Sequence, residues 1–148
     1  MWNSRQKEAI EKGQLIHDLF AQINTRADVG RVLQNAKNEG LFASEEMEIL
    51  QDTILQVITH PELNQFYAEG VKNVNERDII SEAGVLLRPD RLNFTSNGVS
   101  IIDYKTGAEN PKHREQIKAY AEVLERMNFR INHKILVYIN DSIRLSIV

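Results

Sequence analysis

The apolar residues in the first half of the chain recur three or four positions apart, which is the spacing of amphipathic helices. Asp28 stands near the start of one such segment and Gly40 at its end, as N-terminal and C-terminal helix signals require. Acidic residues follow Ser44 in the first turn of the next segment. The helical segments predicted in this way are residues 6–24, 27–39, 45–60 and a short turn over 61–67.

The second half changes to the shorter period and turn signals of β-strands. Asn97-Gly98 lies between two apolar runs and predicts a β-hairpin. Pro111 is placed to open a helix that extends to about Met127. The predicted strands are residues 74–80, 85–94, 99–104, 135–139 and 143–148. This order predicts an α/β fold with one central mixed β-sheet flanked by helices, preceded by an N-terminal helical segment.

At 148 residues the chain fits one compact domain. No window approaches eighteen consecutive apolar residues, so no membrane association is expected. The first residues lack the apolar core of a signal peptide, and the chain has no cysteine. Disulfides, zinc–thiolate sites and cysteine-held iron–sulfur clusters are therefore excluded, and a cytoplasmic location is expected.

The 18 basic and 21 acidic residues give a formal net charge of −3. A protein that binds nucleic acid by itself usually carries a basic face, because phosphate neutralisation supplies much of the affinity. Charge therefore does not indicate DNA binding here. It does not exclude a DNA enzyme either, since a catalytic carboxylate cluster adds negative charge.

Asp90 lies within one predicted strand, and Asp103 and Lys105 lie at the end of the next. Asp103 and Lys105 are two residues apart and project from the same face of a strand. If Asn97-Gly98 forms the hairpin, Asp90 lies across from Asp103 on that face. Two carboxylates can hold a hard divalent cation that acidifies a bound water, and a lysine can orient the water or stabilise an anionic oxygen. The pattern indicates phosphodiester hydrolysis.

A plainer interpretation exists for each element of this pattern. Asp-x-Lys pairs are common, and most are solvated surface charges. Pro89-Asp90 on the preceding strand makes the combination more specific than Asp103-Tyr104-Lys105 alone.

These residues resemble the signature of the PD-(D/E)XK nuclease superfamily, and Asp-Tyr-Lys-Thr-Gly is the form typical of its RecB-like branch. Two further motifs extend the resemblance. Gly13-Gln14-Leu15-Ile16-His17 is similar to the family's Gly-x-x-x-His element, and Gln116-Ile117-Lys118-Ala119-Tyr120 to its Gln-x-x-x-Tyr motif. One departure is Leu87-Arg88-Pro89-Asp90-Arg91, where the family often has Gly-x-x-Asp-Arg. The proline suits a strand edge or bulge and leaves the carboxylate in place.

The resemblance implies a single nuclease domain over residues 1–148, with a helical part at about 5–70 and a catalytic core at about 74–148. It also implies a role for each matching residue. The implied metal ligands are His17, Asp90, Asp103 and the backbone carbonyl of Tyr104; the catalytic residues are Asp90, Asp103, Lys105 and, less directly, Glu76; the substrate-binding residues are Gln116 and Tyr120.

Helical spacing supports some of these roles. Gln116 and Tyr120 are four residues apart and share a helix face, although Tyr120 can also be an ordinary core residue. His17 falls on the inward edge of the first helix, where the alternative is a core histidine hydrogen-bonded to a carbonyl. The other histidines show no ligand spacing and are interpreted as surface or loop residues; they are His60, His113 and His133.

The resemblance implies a deoxyribonuclease that uses Mg²⁺ or Mn²⁺, with exonuclease action favoured over endonuclease action. It also implies DNA as substrate and a helicase motor as partner, in the same longer chain or a separate subunit, acting in DNA repair and recombination. No Walker A motif is present, so the motor is not in these residues. Two alternatives stay open: an inactive DNA-binding or scaffold module with the nuclease fold, and a phosphodiesterase directed at RNA or nucleotides.

Overall fold

The structure is a computed structural model that describes residues 4–148. The chain forms two compact units, Met1–Gly70 and Val71–Val148. Among residues 4–148, none of the helices has both the length and the apolar character needed to span a bilayer.

The first unit is helical, as the apolar spacing predicts. Three α-helices are joined by short 3-10 helices, and α2 contacts both α1 and α3. The α-helices are α1 (Ser4–Ala21), α2 (Val29–Asn38) and α3 (Met47–Ile58), and the 3-10 helices are Arg26–Asp28, Ser44–Glu46 and Asn64–Tyr67. The Asp28 carboxylate accepts hydrogen bonds from the amides of Asn24 and Thr25, and Gly40 after α2 has a φ of +77°. Both end signals predicted from the sequence are therefore present.

The second unit is built on a five-stranded mixed sheet in the order β1-β4-β5-β6-β7. All neighbouring strands are antiparallel except β5 and β6, which are parallel and joined through helix α4. Its elements are β1 (Lys72–Asn75), β2 (Ile79–Ile80), β3 (Leu86–Leu87), β4 (Arg91–Thr95), β5 (Gly98–Lys105), α4 (Pro111–Arg126), β6 (Ile131–Ile139) and β7 (Ile143–Ile147). The predicted α/β fold with a central mixed sheet is confirmed.

Helix α4 packs on one face of this sheet. Its buried residues, including Ile117 and Leu124, form a cluster with Val99 and Ile101 of β5 and with Leu136 of β6. Because side chains alternate along a strand, Asp103 and Lys105 continue the row begun by Val99 and Ile101 and face α4. The helix therefore covers the same sheet face that carries the acid and the lysine.

Two of the predicted strands are interrupted. The strand predicted over residues 74–80 is divided into Lys72–Asn75 and Ile79–Ile80, because Glu76 adopts a φ of +48° that extended chain cannot continue through. The strand predicted over residues 85–94 is divided into Leu86–Leu87 and Arg91–Thr95, because Pro89 has no amide hydrogen to donate to a ladder. Strands β2 and β3 pair with each other as a separate small ribbon.

The predicted hairpin at Asn97-Gly98 is present between β4 and β5. Gly98 has a φ of +146°, and a Cβ built at this position meets the carbonyl oxygen of Arg130 at 2.3 Å. The amide of Val99 donates to the same carbonyl at 2.8 Å. The hairpin turn therefore needs glycine both for its backbone angle and for its close contact with the start of β6.

Candidate active site

The candidate active site lies where β5 ends, between the segment before β4 and the first turns of α4. Asp90 stands just before β4, at the break caused by Pro89, while Asp103 and Lys105 close β5. Gln116 stands on α4 above them and accepts a hydrogen bond from Lys105. Residues from three separate segments of the chain thus meet in one place.

Asp90 and Asp103 are held together by reciprocal bonds to the backbone. The amide of Asp90 donates to Oδ1 of Asp103 at 3.3 Å, and the amide of Tyr104 donates to Oδ2 of Asp90 at 2.8 Å. Each carboxylate therefore accepts a hydrogen bond from the backbone of the segment that carries the other. This arrangement fixes the spacing of the two acidic groups without a side chain between them.

The ammonium group of Lys105 connects the acids to the helix. Its Nζ lies 2.8 Å from Oδ2 of Asp103 and donates to Oε1 of Gln116 at 2.6 Å. The lysine side chain is 17% exposed, and Gln116 is exposed. The ammonium group of Lys105 therefore borders solvent, where a substrate can reach it.

The pKa of the Asp103 carboxyl is raised to about 7, chiefly because the side chain is buried and only 2% exposed. The negative charge of Asp90 and a hydrogen bond between the two carboxyl groups also raise this pKa, whereas the charge and hydrogen bond of Lys105 lower it. One lysine thus does not compensate fully for two neighbouring acids. The site has a deficit of positive charge that a cation would remove.

Tyr120 lies one helical turn beyond Gln116 and is 4% exposed. Burial raises the pKa of its hydroxyl, and the charges of Asp103 and Asp90 raise it further. The side chain belongs to the packed cluster between α4 and the sheet. Because its pKa is raised, the hydroxyl stays protonated close to the acids. Its predicted contact with DNA stays a prediction.

His113 and Tyr138 are neighbours of the site that the sequence patterns missed. Nδ1 of His113 lies 2.9 Å from the hydroxyl of Tyr138, and Tyr138 is the register partner of Lys105 on the adjacent strand. The interpretation of His113 as a surface or loop residue is wrong, because it lies in the first turn of α4 and is partly buried. His113 precedes Gln116 by three residues and Tyr120 by seven, and this helical spacing is the signal that could have placed it beside the site.

The other two histidines outside the motifs differ from each other. His60 follows α3 and bonds to the amide of Glu62, as the prediction of a loop residue requires. His133 belongs to β6, and its Nδ1 lies 3.0 Å from the hydroxyl of Ser100 near the start of β5. His133 therefore lies in a strand and not in a loop, and its exposed side chain agrees with the interpretation as a surface residue.

Glu76 stands beside Asp90 at the end of β1. Its amide donates to the carbonyl of Asp90 at 2.9 Å, and its carboxylate lies 3.6 Å from the guanidinium of Arg88. Nε of Arg88 also donates to the carbonyl of Glu76. Arg88 thus holds Glu76 through both its backbone and its side chain, and the supporting catalytic role of Glu76 stays a prediction.

His17 belongs to the first unit, on α1. Its Nδ1 lies 2.9 Å from the carbonyl of Gly13, and donation to that oxygen places the lone pair of the ring on Nε2. Histidines that bind metals usually donate their second ring nitrogen to such an acceptor, but a structural core histidine does the same. The ligand role of His17 therefore stays a prediction.

The donor groups of the second unit fit a hard divalent cation such as Mg²⁺. Two adjacent carboxylates carry more negative charge than Lys105 neutralises, and carboxylate oxygens are the ligands that Mg²⁺ prefers. Among residues 4–148, no group of three or more histidine, aspartate or glutamate side chains is arranged to hold a metal ion. Mg²⁺ accepts such a partial set, because it commonly binds one or two carboxylates and takes its remaining ligands from water and substrate phosphates.

The central mixed sheet, with Asp103 and Lys105 at the end of β5 and Asp90 just before β4, defines a restriction-endonuclease-like core. The family model of the PD-(D/E)XK nuclease superfamily matches residues 2–141. The chain belongs to this superfamily.

Comparison with solved structures finds a resemblance to a protein named SSO0001, at 19% sequence identity and a TM-score of 0.37. The aligned region covers 90% of this chain and 65% of that one, so the chain spans just under two thirds of its length. Comparison with curated protein sequences finds no match.

Proposed function

We propose that this protein hydrolyses phosphodiester bonds of DNA with the help of Mg²⁺ or Mn²⁺. The observation that carries the proposal is the convergence of Asp90, Asp103 and Lys105, in which reciprocal bonds fix the two acids and the lysine bridges Asp103 to Gln116. Enzymes of this superfamily generally use divalent metal ions. The second unit also has more lysine and arginine than aspartate and glutamate, unlike the chain as a whole.

Asp90, Asp103 and the carbonyl of Tyr104 would hold the cation in the second unit, and His17 is the further ligand that the resemblance implies. When bound, the cation lowers the pKa of a coordinated water and neutralises negative charge on the phosphate that is attacked. The two carboxylates contribute by orienting the ion and by remaining anionic once it is present.

Lys105 has a separate task at the edge of the site. Its ammonium group lies between the buried Asp103 and the exposed Gln116, so it borders the space that a phosphate would enter. There it can orient the attacking water or stabilise negative charge that develops on a phosphate oxygen. Gln116 supports this task, because its Oε1 accepts a hydrogen bond from Nζ and limits the movement of the long side chain.

We also propose that the protein is a RecB-like module that acts with a helicase motor in DNA repair and recombination. The Asp-Tyr-Lys-Thr-Gly sequence at 103–107 and the Gln-x-x-x-Tyr motif at 116–120 support the subtype. A motor would supply the grip on DNA that the mildly acidic chain lacks. An exonuclease suits this partnership, because a motor delivers a strand end continuously.

A cleavage assay with labelled single-stranded DNA, duplex DNA, circular DNA and RNA tests the proposed function. We expect cleavage of linear DNA with Mg²⁺ or Mn²⁺ and none with EDTA, because the acids need a cation to act on a phosphate. A preference for RNA would favour the phosphodiesterase alternative, and cleavage of circular DNA would contradict exonuclease action. Binding of DNA without cleavage in any metal would favour the inactive module.

A further inference from the structure

The side of the active site opposite Asp90 carries a histidine–tyrosine pair that no motif includes. His113 lies in the first turn of α4, three residues before Gln116, and both residues lie on the helix face that borders the site. Tyr138 is the register partner of Lys105 on β6, about 5 Å away across the sheet. The two rings contact each other, with centroids 5.7 Å apart.

The surroundings of the pair determine which group carries the proton. Burial lowers the pKa of His113, and the charge of Lys105 lowers it further, so the ring is neutral. Burial also raises the pKa of the Tyr138 hydroxyl, which therefore keeps its proton. The bond of 2.9 Å between them is then satisfied when the hydroxyl donates to Nδ1, and the imidazole proton stays on Nε2.

We propose that Nε2 of His113 donates a hydrogen bond to a phosphate of the bound DNA strand, next to the phosphate that is cleaved. This inference rests on the proposed function and adds a substrate contact to it. The ring contacts Tyr138, which pairs with Lys105 from β6, whereas Asp90 precedes β4 on the other side of β5. A strand that presents one phosphate to the acids and the lysine thus brings its next phosphate to His113.

Tyr138 acts as a positioning residue in this proposal. Its hydroxyl fixes the orientation of the imidazole and selects the tautomer whose Nε2 is the donor. A neutral N–H donor suits this place, because a second full positive charge beside Lys105 would cost free energy whenever DNA is absent. The first turn of α4 adds the positive end of the helix dipole, which favours an anion at the same place.

The test is a binding titration that does not need cleavage. We expect His113→Ala to raise the Kd for a fluorescent single-stranded oligonucleotide about tenfold in Ca²⁺, since a hydrogen bond to a charged group is worth about that factor. His113→Gln places an amide N–H near the position of Nε2 and should keep most of the affinity, whereas His113→Asn places it near Nδ1 and should not. His133→Ala is the matched control, because Nδ1 of His133 also bonds to a hydroxyl but at the opposite end of the same strand pair.

Methylphosphonate substitution of single phosphates identifies the contact itself. At one position, removal of the phosphate charge should weaken wild-type binding and leave the His113→Ala protein unaffected. Tyr138→Phe should weaken binding two- to threefold, and it keeps the proposal testable if His113→Ala does not fold. Equal Kd values for His113→Ala and wild type, or additive losses at every phosphate, would overturn the proposal. If the wild-type protein does not cleave DNA but the expected binding results are obtained, the proposed reaction is contradicted and the phosphate contact is not.

Discussion

Replacement of Lys105 by alanine should lower kcat for DNA cleavage by about a thousandfold and leave the fold intact. A positioned charge or proton donor at the reacting phosphate typically contributes a factor of this size. The side chain borders solvent, so its removal creates no cavity in the core. Asp103 loses its cationic neighbour in the variant but can bind a proton instead, since the pKa of its carboxyl is already raised.

Single-turnover cleavage in Mg²⁺, together with circular dichroism, measures this effect. Lys118→Ala is the matched control, because Lys118 is an exposed lysine on α4 within the same unit. It should cleave at the wild-type rate. If Lys105→Ala cleaves as fast as Lys118→Ala, the catalytic role of Lys105 is wrong.

Replacement of Asp103 by asparagine should abolish cleavage and at the same time stabilise the metal-free protein at pH 8. The variant keeps the shape of the side chain, and its amide can donate to Asp90 where the wild type brings two negative charges together. Because folding raises the pKa of Asp103, its charged form costs free energy in the folded protein at pH 8, and asparagine removes that cost. A gain of about 2 kcal/mol would raise Tm by roughly 5 °C for a chain of this size.

The pH dependence has a definite sign. The carboxyl of Asp103 has a pKa of about 7 in the folded protein and an ordinary value of 3.8. Between these values the folded state binds more protons than the unfolded state, so stability falls as pH rises. The advantage of Asp103→Asn should therefore be small near pH 4, grow through pH 7 and level off by pH 8.

Thermal unfolding in EDTA at a series of pH values tests this expectation. Asp141→Asn replaces an exposed aspartate in the turn between β6 and β7 and should show the wild-type profile. If Asp103→Asn and Asp141→Asn give the same profile, the acid pair does not destabilise the metal-free fold.

Most of the fold could be predicted because local chemistry and tertiary structure agree. The helices follow apolar spacing, Gly40 takes the left-handed angle of a C-cap, and Asn97-Gly98 forms its hairpin. The interruption within residues 85–94 was not predicted, because apolar residues stand on both sides of Arg88-Pro89-Asp90-Arg91. The proline signals a bulge or an edge, but apolar pattern alone does not show that the ladder stops and a second ribbon forms.

Only part of the candidate active site could be predicted from the sequence, for a related reason. Asp103 and Lys105 are linked by strand alternation, and Gln116 and Tyr120 by helical spacing. His113 and Tyr138 are 25 residues apart, and only the crossing of α4 over β6 brings them together. The pairing of Glu76 with Arg88 likewise depends on the chain reversal between β1 and β3, which no short motif encodes.

Calorimetric titration with Mn²⁺ tests the central claim, that Asp90 and Asp103 share a divalent cation. The wild-type protein should bind Mn²⁺ at pH 8, Asp141→Asn should bind it equally well, and Asp90→Asn and Asp103→Asn should each lose at least tenfold in affinity. Wild-type protein that binds no Mn²⁺, or the same affinity in all four proteins, would contradict it.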